Sequence, residues 1–285
     1  MITSFGNRSV REVIQLIQKA KARNKQGLFV VEGVKMFSEA PEKRIERVYL
    51  ARRAEEELRE AYGEKLDRVS CEIVADEVFD RMSDTKTPQG ILTLVKQYQY
   101  RLDDLLEGKQ KRVYISGSNG ERVSVIGGAP GGKKNPLFLL LEDIQDPGNL
   151  GTLFRTGEAV GVNGILMSSH TVDVYNPKTI RSTMGSVYRV PFVYVEDLCE
   201  TIHLLQQNNI CVYAAHLDGK ESYDAYDYRS GTAFLIGNEG NGLREETAAC
   251  AKERIVIPME GGVESLNAAT ASAVLLYEAY RQRRR

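Results

Sequence analysis

The stretch Phe234-Leu-Ile-Gly-Asn-Glu-Gly-Asn-Gly-Leu243 joins an apolar, strand-like run to a polar, glycine-rich turn. Two further turns of this kind occupy residues 146–155 and 257–267, and each stands between a strand-like run and a helix-like run. In open α/β sheets, ligands bind outside the carboxyl ends of the strands, where such turns gather. The three turns therefore predict an α/β fold and one site that collects backbone amides, carboxamides, a carboxylate and a guanidinium.

The length and composition of the chain fit a globular protein with two domains. Its 285 residues are enough for two hydrophobic cores, and 42% apolar with 27% charged residues are ordinary values for such a protein. No apolar run approaches the roughly 18 residues that a membrane-spanning helix needs. Residues 1–27 are polar and basic and lack the apolar core of a signal peptide. We therefore expect a cytoplasmic protein with no membrane partner.

The cysteines and histidines show no pattern typical of a metal site. The four cysteines are scattered without a Cys-x-x-Cys pair, and the three histidines stand apart from one another. Such spacing argues against zinc and against a disulfide framework. The sequence therefore predicts buried free thiols, no disulfide and no metal. The cysteines are Cys71, Cys199, Cys211 and Cys250.

Charge is unevenly distributed, although the net charge is only −1. Residues 8–25 contain six basic side chains and one acidic side chain, Glu12, and the chain ends in Arg281-Gln-Arg-Arg-Arg285. Basic surfaces of this kind neutralise nucleic-acid phosphates. The alternative is a solvated helix face or tail that has no partner. The basic residues of the first segment are Arg8, Arg11, Lys19, Lys21, Arg23 and Lys25.

The first 100 or so residues alternate helix-like and strand-like segments, as a compact α/β domain does. Ser9-Val-Arg-Glu12 has the pattern of a capping box and predicts a helix that runs to about Arg23. We assign residues 1–106 to this N-terminal domain. The other segments predict strands at 28–32, 47–51, 71–74 and 91–95, and helices near 33–40, 53–62 and 76–83.

Residues 107–136 are rich in glycine and predict a linker with a small hairpin at 112–115 and 122–126. The following run Leu137–Leu141 is wholly apolar, which is typical of a parallel strand buried on both faces. Residues 137–285 therefore predict a second α/β domain with a mostly parallel sheet. Its predicted strands lie at 137–141, 164–167, 191–195, 211–215, 232–236 and 254–257, and its helices near 149–160, 177–184, 197–208, after Leu243 and at 266–282.

The three turns together resemble the motifs of the SpoU/TrmH group of RNA ribose 2'-O-methyltransferases, in the SPOUT class. The first motif of that group carries Asn and Arg, which are Asn149 and Arg155 here. The second is Gly-x-Glu-Gly, at 237–240, and the third is Pro258 followed by Ser-Leu-Asn at 265–267. One departure is the Ala-Ala pair at 268–269, where many relatives have Val-Ser. The resemblance covers about residues 137–282 and implies a deep C-terminal trefoil knot.

The N-terminal region resembles the small substrate-binding domain of the same family. The matching residues are 23–33, Arg-x-x-x-Gly-x-Phe-x-x-Glu-Gly, and 87–91, Thr-Pro-Gln-Gly-Ile. This resemblance implies an N-terminal domain that binds RNA. It favours ribosomal RNA over transfer RNA as the substrate, because the similar domains belong to enzymes that modify ribosomal RNA.

The resemblance implies roles for five residues in methyl transfer to a ribose 2'-hydroxyl. Arg155 matches the proposed base or activator of the hydroxyl. A guanidinium stays protonated in proteins, so we favour a role in which Arg155 binds the adjacent phosphate and the proton leaves to phosphate or water. Asn149, where an N-cap is expected, would position Arg155 or the substrate. Glu239 would orient polar groups around the ribose, while Ser265 and Asn267 begin the last helix and face the RNA.

The resemblance also implies a site for S-adenosylmethionine, the methyl donor. Backbone amides and carbonyls of the turns would hold this cofactor, and the loop at 214–217 would complete the pocket. Each position could instead be an ordinary strand-end or core residue. The predicted cofactor-binding residues are Gly237, Asn238, Ile257, Leu266 and Leu217.

Other functions remain open at this stage. They are a transfer-RNA ribose methyltransferase, a base methyltransferase with the same knotted domain, and a non-catalytic RNA-binding or ribosome-assembly factor. The motifs at 149–155 and 265–267 argue against the base methyltransferase, because they mark the ribose-modifying branch.

The last helix carries Leu275, Leu276 and Tyr280 opposite small residues such as Ala271. Together with the resemblance, this pattern predicts a homodimer formed by the C-terminal domain.

Overall fold

The structure, a computed structural model, describes residues 1–107, 135–263 and 265–284, together with the backbone of 115–116 and 122–123. The helices are α1 Arg8–Gln18, α2 Ala20–Gln26, α3 Val34–Glu39, α4 Glu55–Leu66, α5 Asp76–Met82, α6 Leu102–Leu106, α7 Pro147–Val160, α8 Pro177–Thr183, α9 Leu198–Gln207, α10 Glu245–Cys250 and α11 Ala268–Arg283. The strands are β1 Leu28–Glu32, β2 Ile45–Ala51, β3 Cys71–Val74, β4 Ile91–Lys96, β5 Ile115–Ser116, β6 Arg122–Val123, β7 Leu137–Leu141, β8 Gly164–Ser168, β9 Phe192–Val195, β10 Cys211–Ala215, β11 Glu221–Ser222, β12 Thr232–Ile236 and β13 Glu253–Val256.

The chain folds into two compact units. Unit 1 comprises Met1–Tyr98 and Asp173–Tyr188, and unit 2 comprises Gln99–Val172 and Arg189–Arg285. Most of the predicted linker at 107–136 lies outside the described residues. Within it, β5 pairs antiparallel with β6, where the sequence predicts a hairpin.

Unit 1 has a four-stranded sheet in the order β1-β4-β2-β3. Strand β4 runs antiparallel to β1 and β2, whereas β2 and β3 are parallel. Apolar side chains of α1, α5 and the sheet form its core, Val13, Leu16 and Phe79 among them. All the strands predicted in this region are present. The sequence-based interpretation was wrong at the first helix, which Asn7 caps instead of Ser9 and which breaks at the extended Lys19.

Unit 1 also contains a second chain segment, residues 173–188. The ring of Tyr175 packs against that of Phe29 with centroids 4.6 Å apart, and the hydroxyl of Tyr188 donates to the carbonyl of Met36 at 3.0 Å. These contacts join α8 and its flanking residues to the core built by the first 98 residues.

Arg23 is buried and forms part of this core rather than of the predicted basic surface. Its guanidinium donates to Asp173 Oδ2 through Nε at 3.0 Å and through Nη2, and to the carbonyls of Leu16 and Ile17. The inclusion of Arg23 among phosphate-binding residues was therefore wrong. A sequence cannot show this burial, because the partner Asp173 lies 150 positions away.

Replacing Arg23 should destabilise unit 1. The substitution Arg23→Met would leave Asp173 and two carbonyls without their donor, and breaking a buried ion pair costs about 3 kcal/mol. Urea unfolding should measure this loss. The control is Arg53→Met, because Arg53 pairs with Asp80 at the surface and such pairs contribute about 0–1 kcal/mol. Equal stability losses in the two variants would contradict the structural role of Arg23.

Unit 2 is built around a seven-stranded sheet in the order β11-β13-β10-β12-β7-β8-β9. Every neighbouring pair in this sheet is parallel, as the apolar runs predicted. Among the described residues, the elements that the prediction missed are short and include the strand β11 and the helix α6. Because the strands are parallel, the segments that follow β7, β12 and β13 emerge at the same edge of the sheet.

The last helix, α11, packs within its own unit against α7 and β12. Leu275 and Leu276 are buried there, and so are the small residues Ala268 and Ser272. The homodimer predicted from this helix stays a prediction. The exposed residues of α11 include Tyr277.

The C-terminal arginines are engaged within unit 2 as far as the structure describes them. Arg281 pairs with Glu278, and the Arg284 guanidinium lies 5.3 Å from the ring centroid of Tyr280. Arg283 donates to the carbonyls of Tyr228, Ser230, Asn135 and Pro136. Burial lowers the pKa of Arg283 to about 10. These three arginines therefore have partners within the chain, and phosphate binding by the C-terminal arginines stays a prediction.

Cys199 and Cys250 form a disulfide, contrary to the prediction of free thiols throughout. Helices α9 and α10 pack side by side and bring their Cα atoms to 5.7 Å, although the residues are 51 positions apart in sequence. Cys71 and Cys211 remain free and are half-buried. None of the helices in the described ranges is long and apolar enough to cross a membrane.

Reduction of the Cys199–Cys250 disulfide should lower the stability of unit 2. Cross-links that close loops of this size typically contribute about 2–4 kcal/mol. The unfolding midpoint of the protein should therefore fall in dithiothreitol. Cys199→Ser should show the lower midpoint with or without the reductant, and Cys71→Ser should respond to it as the unaltered protein does. An unaltered protein insensitive to dithiothreitol would contradict the prediction.

Candidate active site

The segment after β7 turns sharply into α7 and carries the first group of predicted site residues. Asp146 caps the helix by accepting a hydrogen bond from the Asn149 amide at 2.8 Å, and Pro147 occupies the first helical position, which suits its fixed φ. Asn149 therefore lies inside the first turn of α7. The expectation that Asn149 is the N-cap was wrong, because an Asp-Pro pair just before it is the stronger helix start.

The carboxylate of Glu239 joins the segment after β12 to the segment after β7. Its oxygens accept hydrogen bonds from the amides of Gln145 at 3.0 Å and Asp146 at 3.1 Å. They also accept one from the side-chain amide of Asn149 at 3.0 Å. A carboxylate with three donors is held in one orientation, so Glu239 fixes two of the three predicted loops relative to each other.

These contacts also determine the charge of Glu239. Partial burial alone would raise the pKa of Glu239, but the hydrogen bonds from Asn149, Gln145 and Asp146 outweigh it. The net effect lowers the pKa below the ordinary value of 4.5. Glu239 is therefore a carboxylate at neutral pH and acts here as an acceptor.

Asn267 extends this network to the third loop. Its Nδ2 donates to Asn149 Oδ1 at 3.0 Å, while its own Oδ1 caps α11 by accepting from the amides of Ala269 and Thr270. Asn267, rather than Ser265, is the N-cap of this helix, and Ser265 is exposed. A continuous chain of side-chain hydrogen bonds thus runs from Glu239 through Asn149 to Asn267.

Arg155 lies six residues after Asn149 on α7 and is exposed. It forms no hydrogen bond or ion pair with any residue of the described ranges, Asn149 and Glu239 included. A guanidinium without a protein partner is available to an anionic ligand. Whether Asn149 and Glu239 orient Arg155 when substrate binds stays a prediction.

A cavity of about 380 Å³ lies at the carboxyl edge of the sheet, among β10, β12, β13 and the segments that follow them. It is lined by all five residues that the sequence predicts to bind cofactor, Gly237, Asn238, Ile257, Leu266 and Leu217. Glu239 and Ser265 also line it, whereas Asn149, Arg155 and Asn267 are not among its lining residues. Lining residues that the sequence did not single out include Ile236, Leu243, Met259 and Ala271, which extend the same strand ends and α11.

One wall of the cavity is the turn formed by residues 237–242, which we call the Gly237 turn. A Cβ atom at Gly237 would lie 2.2 Å from the carbonyl carbon of Gly242, so the turn requires glycine there. Gly242 has a φ of 67°, which also favours glycine. The side chain of Asn238 accepts from the amides of Gly240 and Asn241 and donates to the carbonyl of Asp143 at 2.7 Å. Asn238 therefore shapes the turn itself.

No group of three or more His, Cys, Asp or Glu side chains within the described ranges could hold a metal ion.

The sequence around this site matches a known protein family. Residues 136–277 match the model of the SpoU rRNA Methylase family, and residues 7–93 match that of the MRM3-like substrate binding domain. The chain belongs to the SpoU methylase family. The match covers the motif residues of all three loops, and the second match covers most of the N-terminal region.

Relatives of this family align over most of the chain. The 23S rRNA (guanosine(2553)-2'-O)-methyltransferase RlmP of Bacillus subtilis is 27% identical over 97% of each chain. The putative TrmH family tRNA/rRNA methyltransferase YacO of the same organism is 28% identical over 77% of this chain and 80% of its own. The crystal structure of an AdoMet-bound rRNA methyltransferase from Sinorhizobium meliloti has a TM-score of 0.78, with 28% identity over 98% of this chain and 97% of that one.

Proposed function

We propose that the protein is an S-adenosylmethionine-dependent RNA 2'-O-ribose methyltransferase that acts on ribosomal RNA. The observation that carries this proposal is the hydrogen-bonded chain Glu239–Asn149–Asn267, which unites the three family motifs beside a cavity lined by the cofactor positions. The relative RlmP is named as a 23S rRNA 2'-O-methyltransferase, which supports ribosomal RNA as the substrate and the ribose hydroxyl as the methylated group.

The cavity suits S-adenosylmethionine in size and lining. Its volume of about 380 Å³ falls within the range of small-molecule sites. Apolar side chains of Ile236, Leu243 and Ile257 line it together with the backbone of the Gly237 turn. These groups offer an apolar surface for an adenine ring and amides or carbonyls for its edge. When bound, the cofactor supplies an electrophilic methyl group.

The other steps depend on side chains in and beside the cavity. Arg155, which has no hydrogen-bond or ion-pair partner among the described residues, binds the phosphate next to the target ribose and lowers the pKa of the 2'-hydroxyl electrostatically. Glu239 stays ionised and holds Asn149 in place, and Asn149 with Asn267 faces the substrate. The protein thus works mainly by positioning, with the proton leaving to phosphate or water.

Methyl transfer to purified RNA tests the function directly. The protein should transfer labelled methyl groups from S-adenosylmethionine to ribosomal RNA from cells that lack it, and nucleoside analysis should find a 2'-O-methyl nucleoside. Methylation of transfer RNA alone would show that the protein is a transfer-RNA ribose methyltransferase instead. A labelled base would assign a base methyltransferase, and no transfer to either RNA would favour a non-catalytic factor. A chelator should not impair the reaction.

We propose that the N-terminal domain, residues 1–106, binds RNA through a basic surface on α1 and α2. Five basic residues there are exposed and form no ion pair with the described residues. Free surface cations neutralise phosphates, so the surface should contribute to RNA affinity more than to catalysis. The match to a substrate binding domain supports this role. The five residues are Arg8, Arg11, Lys19, Lys21 and Lys25.

Neutralising this surface should weaken RNA binding and its salt dependence. Replacing all five residues by Gln should lower RNA affinity about tenfold or more, and flatten the slope of log affinity against log salt. Cofactor binding should not change. The matched control is the pair Arg59→Gln and Arg68→Gln, since both residues are already paired with carboxylates. An unaltered salt slope in the five-residue variant would refute the proposed surface.

We further propose a homodimer formed by the C-terminal domain, residues 137–285, with a deep trefoil knot, in the cytoplasm. The family assignment supports the knot, and the exposed Tyr277 on α11 offers an apolar contact for a second copy. Sedimentation at micromolar concentration should give about twice the chain mass of 31.9 kDa. A fully active monomer would exclude the dimer.

The cytoplasm is a reducing compartment, so the Cys199–Cys250 pair should be reduced there. Alkylation of these two thiols in intact cells therefore tests the proposed compartment.

A further inference from the structure

A buried carboxylate that belongs to none of the three motifs lies directly behind the Gly237 turn. Glu142 follows the last residue of β7 and is 1% exposed. It accepts hydrogen bonds from the backbone amide of Arg244 at 2.8 Å, from Arg244 Nε at 2.8 Å and from Arg244 Nη2 at 2.7 Å. The hydroxyl of Thr247, on α10, donates to it as well.

These contacts anchor the far end of the Gly237 turn. The near end is anchored through Asn238, whose side chain donates to the carbonyl of Asp143. Leu243 separates the turn from Arg244 and is itself buried against the cavity. Two consecutive residues after β7, Glu142 and Asp143, therefore hold both ends of the loop that forms one wall of the cavity.

We propose that Glu142 and Arg244 are positioning residues that keep the Gly237 turn in its cofactor-binding shape. This inference rests on the proposed function, because it assumes that the cavity binds S-adenosylmethionine. Neither residue lines the cavity, so both would act through the turn rather than by touching the cofactor.

The physical reason is the cost of ordering a glycine-rich loop. Glycine loses more conformational freedom than other residues when it is fixed, and the turn contains Gly237, Gly240 and Gly242. In the folded protein, the buried charge of Glu142 is satisfied only while Arg244 and Thr247 stay in place. The ordering is thus completed during folding. Without the anchor, part of this cost would oppose cofactor binding instead.

The substitution Arg244→Met tests this role with little risk to the fold, because the Arg244 side chain is 55% exposed and its backbone amide still reaches Glu142. We expect calorimetry to show S-adenosylmethionine bound about tenfold more weakly, a change of about 1.4 kcal/mol. The KM for the cofactor should rise by a similar factor. The kcat at saturating cofactor and the KM for RNA should stay near those of the unaltered protein.

Matched variants separate positioning from general damage. Arg229→Met removes an exposed arginine paired with Asp227 in the same unit, and it should not alter cofactor affinity. Arg244→Lys keeps the charge and should restore part of the affinity. Glu142→Gln should weaken binding too, and combining it with Arg244→Met should add less than the sum of the two effects, because the residues act through one contact.

The outcomes distinguish this inference from the proposed function. If the unaltered protein does not bind S-adenosylmethionine, the proposed function fails. If it binds and Arg244→Met binds equally well, the positioning role is wrong. If circular dichroism shows Arg244→Met to be unfolded, Thr247→Val decides, since it removes a single donor. A weaker cofactor affinity in that variant supports the role, and an unchanged affinity overturns it.

Discussion

Arg155→Ala is expected to abolish methyl transfer while leaving cofactor binding intact. Arg155 is exposed on α7 and has no partner among the described residues, so its guanidinium is available to the RNA. Removing one preorganised electrostatic contact of this kind lowers kcat by about 10²- to 10³-fold. The cavity residues do not include Arg155, so the affinity for S-adenosylmethionine should change little. Single-turnover transfer and calorimetry measure the two quantities.

Two controls make this result specific. Arg155→Lys keeps the charge but loses the planar fork, and it should recover only part of the activity. Thr152→Ala alters an exposed side chain one turn earlier on the same helix and should leave kcat near normal. Near-normal turnover by Arg155→Ala at saturating substrates would remove Arg155 from the catalytic residues.

Glu239→Gln should also reduce activity strongly, although it changes only one atom of the side chain. Among the described residues, the groups that hydrogen-bond to the carboxylate are donors: the amides of Gln145 and Asp146 and the side chain of Asn149. A glutamine must point its own NH2 group at one of them. An unsatisfied or opposed donor costs about 1–3 kcal/mol, so kcat/KM should fall by about 10- to 100-fold. Activity within twofold of the unaltered enzyme would show that the hydrogen bonds of the Glu239 carboxylate are not needed for catalysis.

The same carboxylate should make the site sensitive to acid. Because the folded-state pKa of Glu239 lies below 4.5, ionisation of Glu239 favours the folded network. Its contribution is fully present above the pKa of the unfolded chain and is lost as the pH falls through the lower folded pKa. The stability of unit 2 should therefore decline below about pH 4.5, and less so in Glu239→Gln, which cannot titrate. Parallel slopes for the two proteins would contradict this linkage.

The strands were predicted well from the sequence, because a parallel strand buried on both faces has a nearly continuous apolar sequence. Leu137–Leu141 is one example, and β12 with its following turn is another. The prediction failed at helix ends, where more than one nearby residue could serve as the cap. Asn7 and Asp146 cap helices for which Ser9 and Asn149 were expected, and a single predicted helix breaks at Lys19. Capping preferences are local and similar among these residue types, so spacing alone could not choose between them.

The candidate site was predictable in composition but not in connectivity. The motif residues drew attention to three loops, and the structure places five predicted cofactor residues around one cavity. No sequence pattern indicated that Glu239 accepts hydrogen bonds from backbone amides or that it forms no hydrogen bond with Arg155. Glu142 was missed altogether, since a single acidic residue after a strand looks like any loop residue. Burial, which only the fold reveals, distinguishes it.

The span of the hydrogen-bond network also has a consequence for protein synthesis. Asn149 is bonded to Glu239, 90 residues later, and to Asn267, 118 residues later. A ribosome releases the amino-terminal part first, so the first member of the network waits in an incomplete site while the others are still being made. The nascent chain is therefore inactive until the start of α11 has left the exit tunnel. An enzyme assembled in this order cannot modify RNA before Asn267 has been made and has reached Asn149.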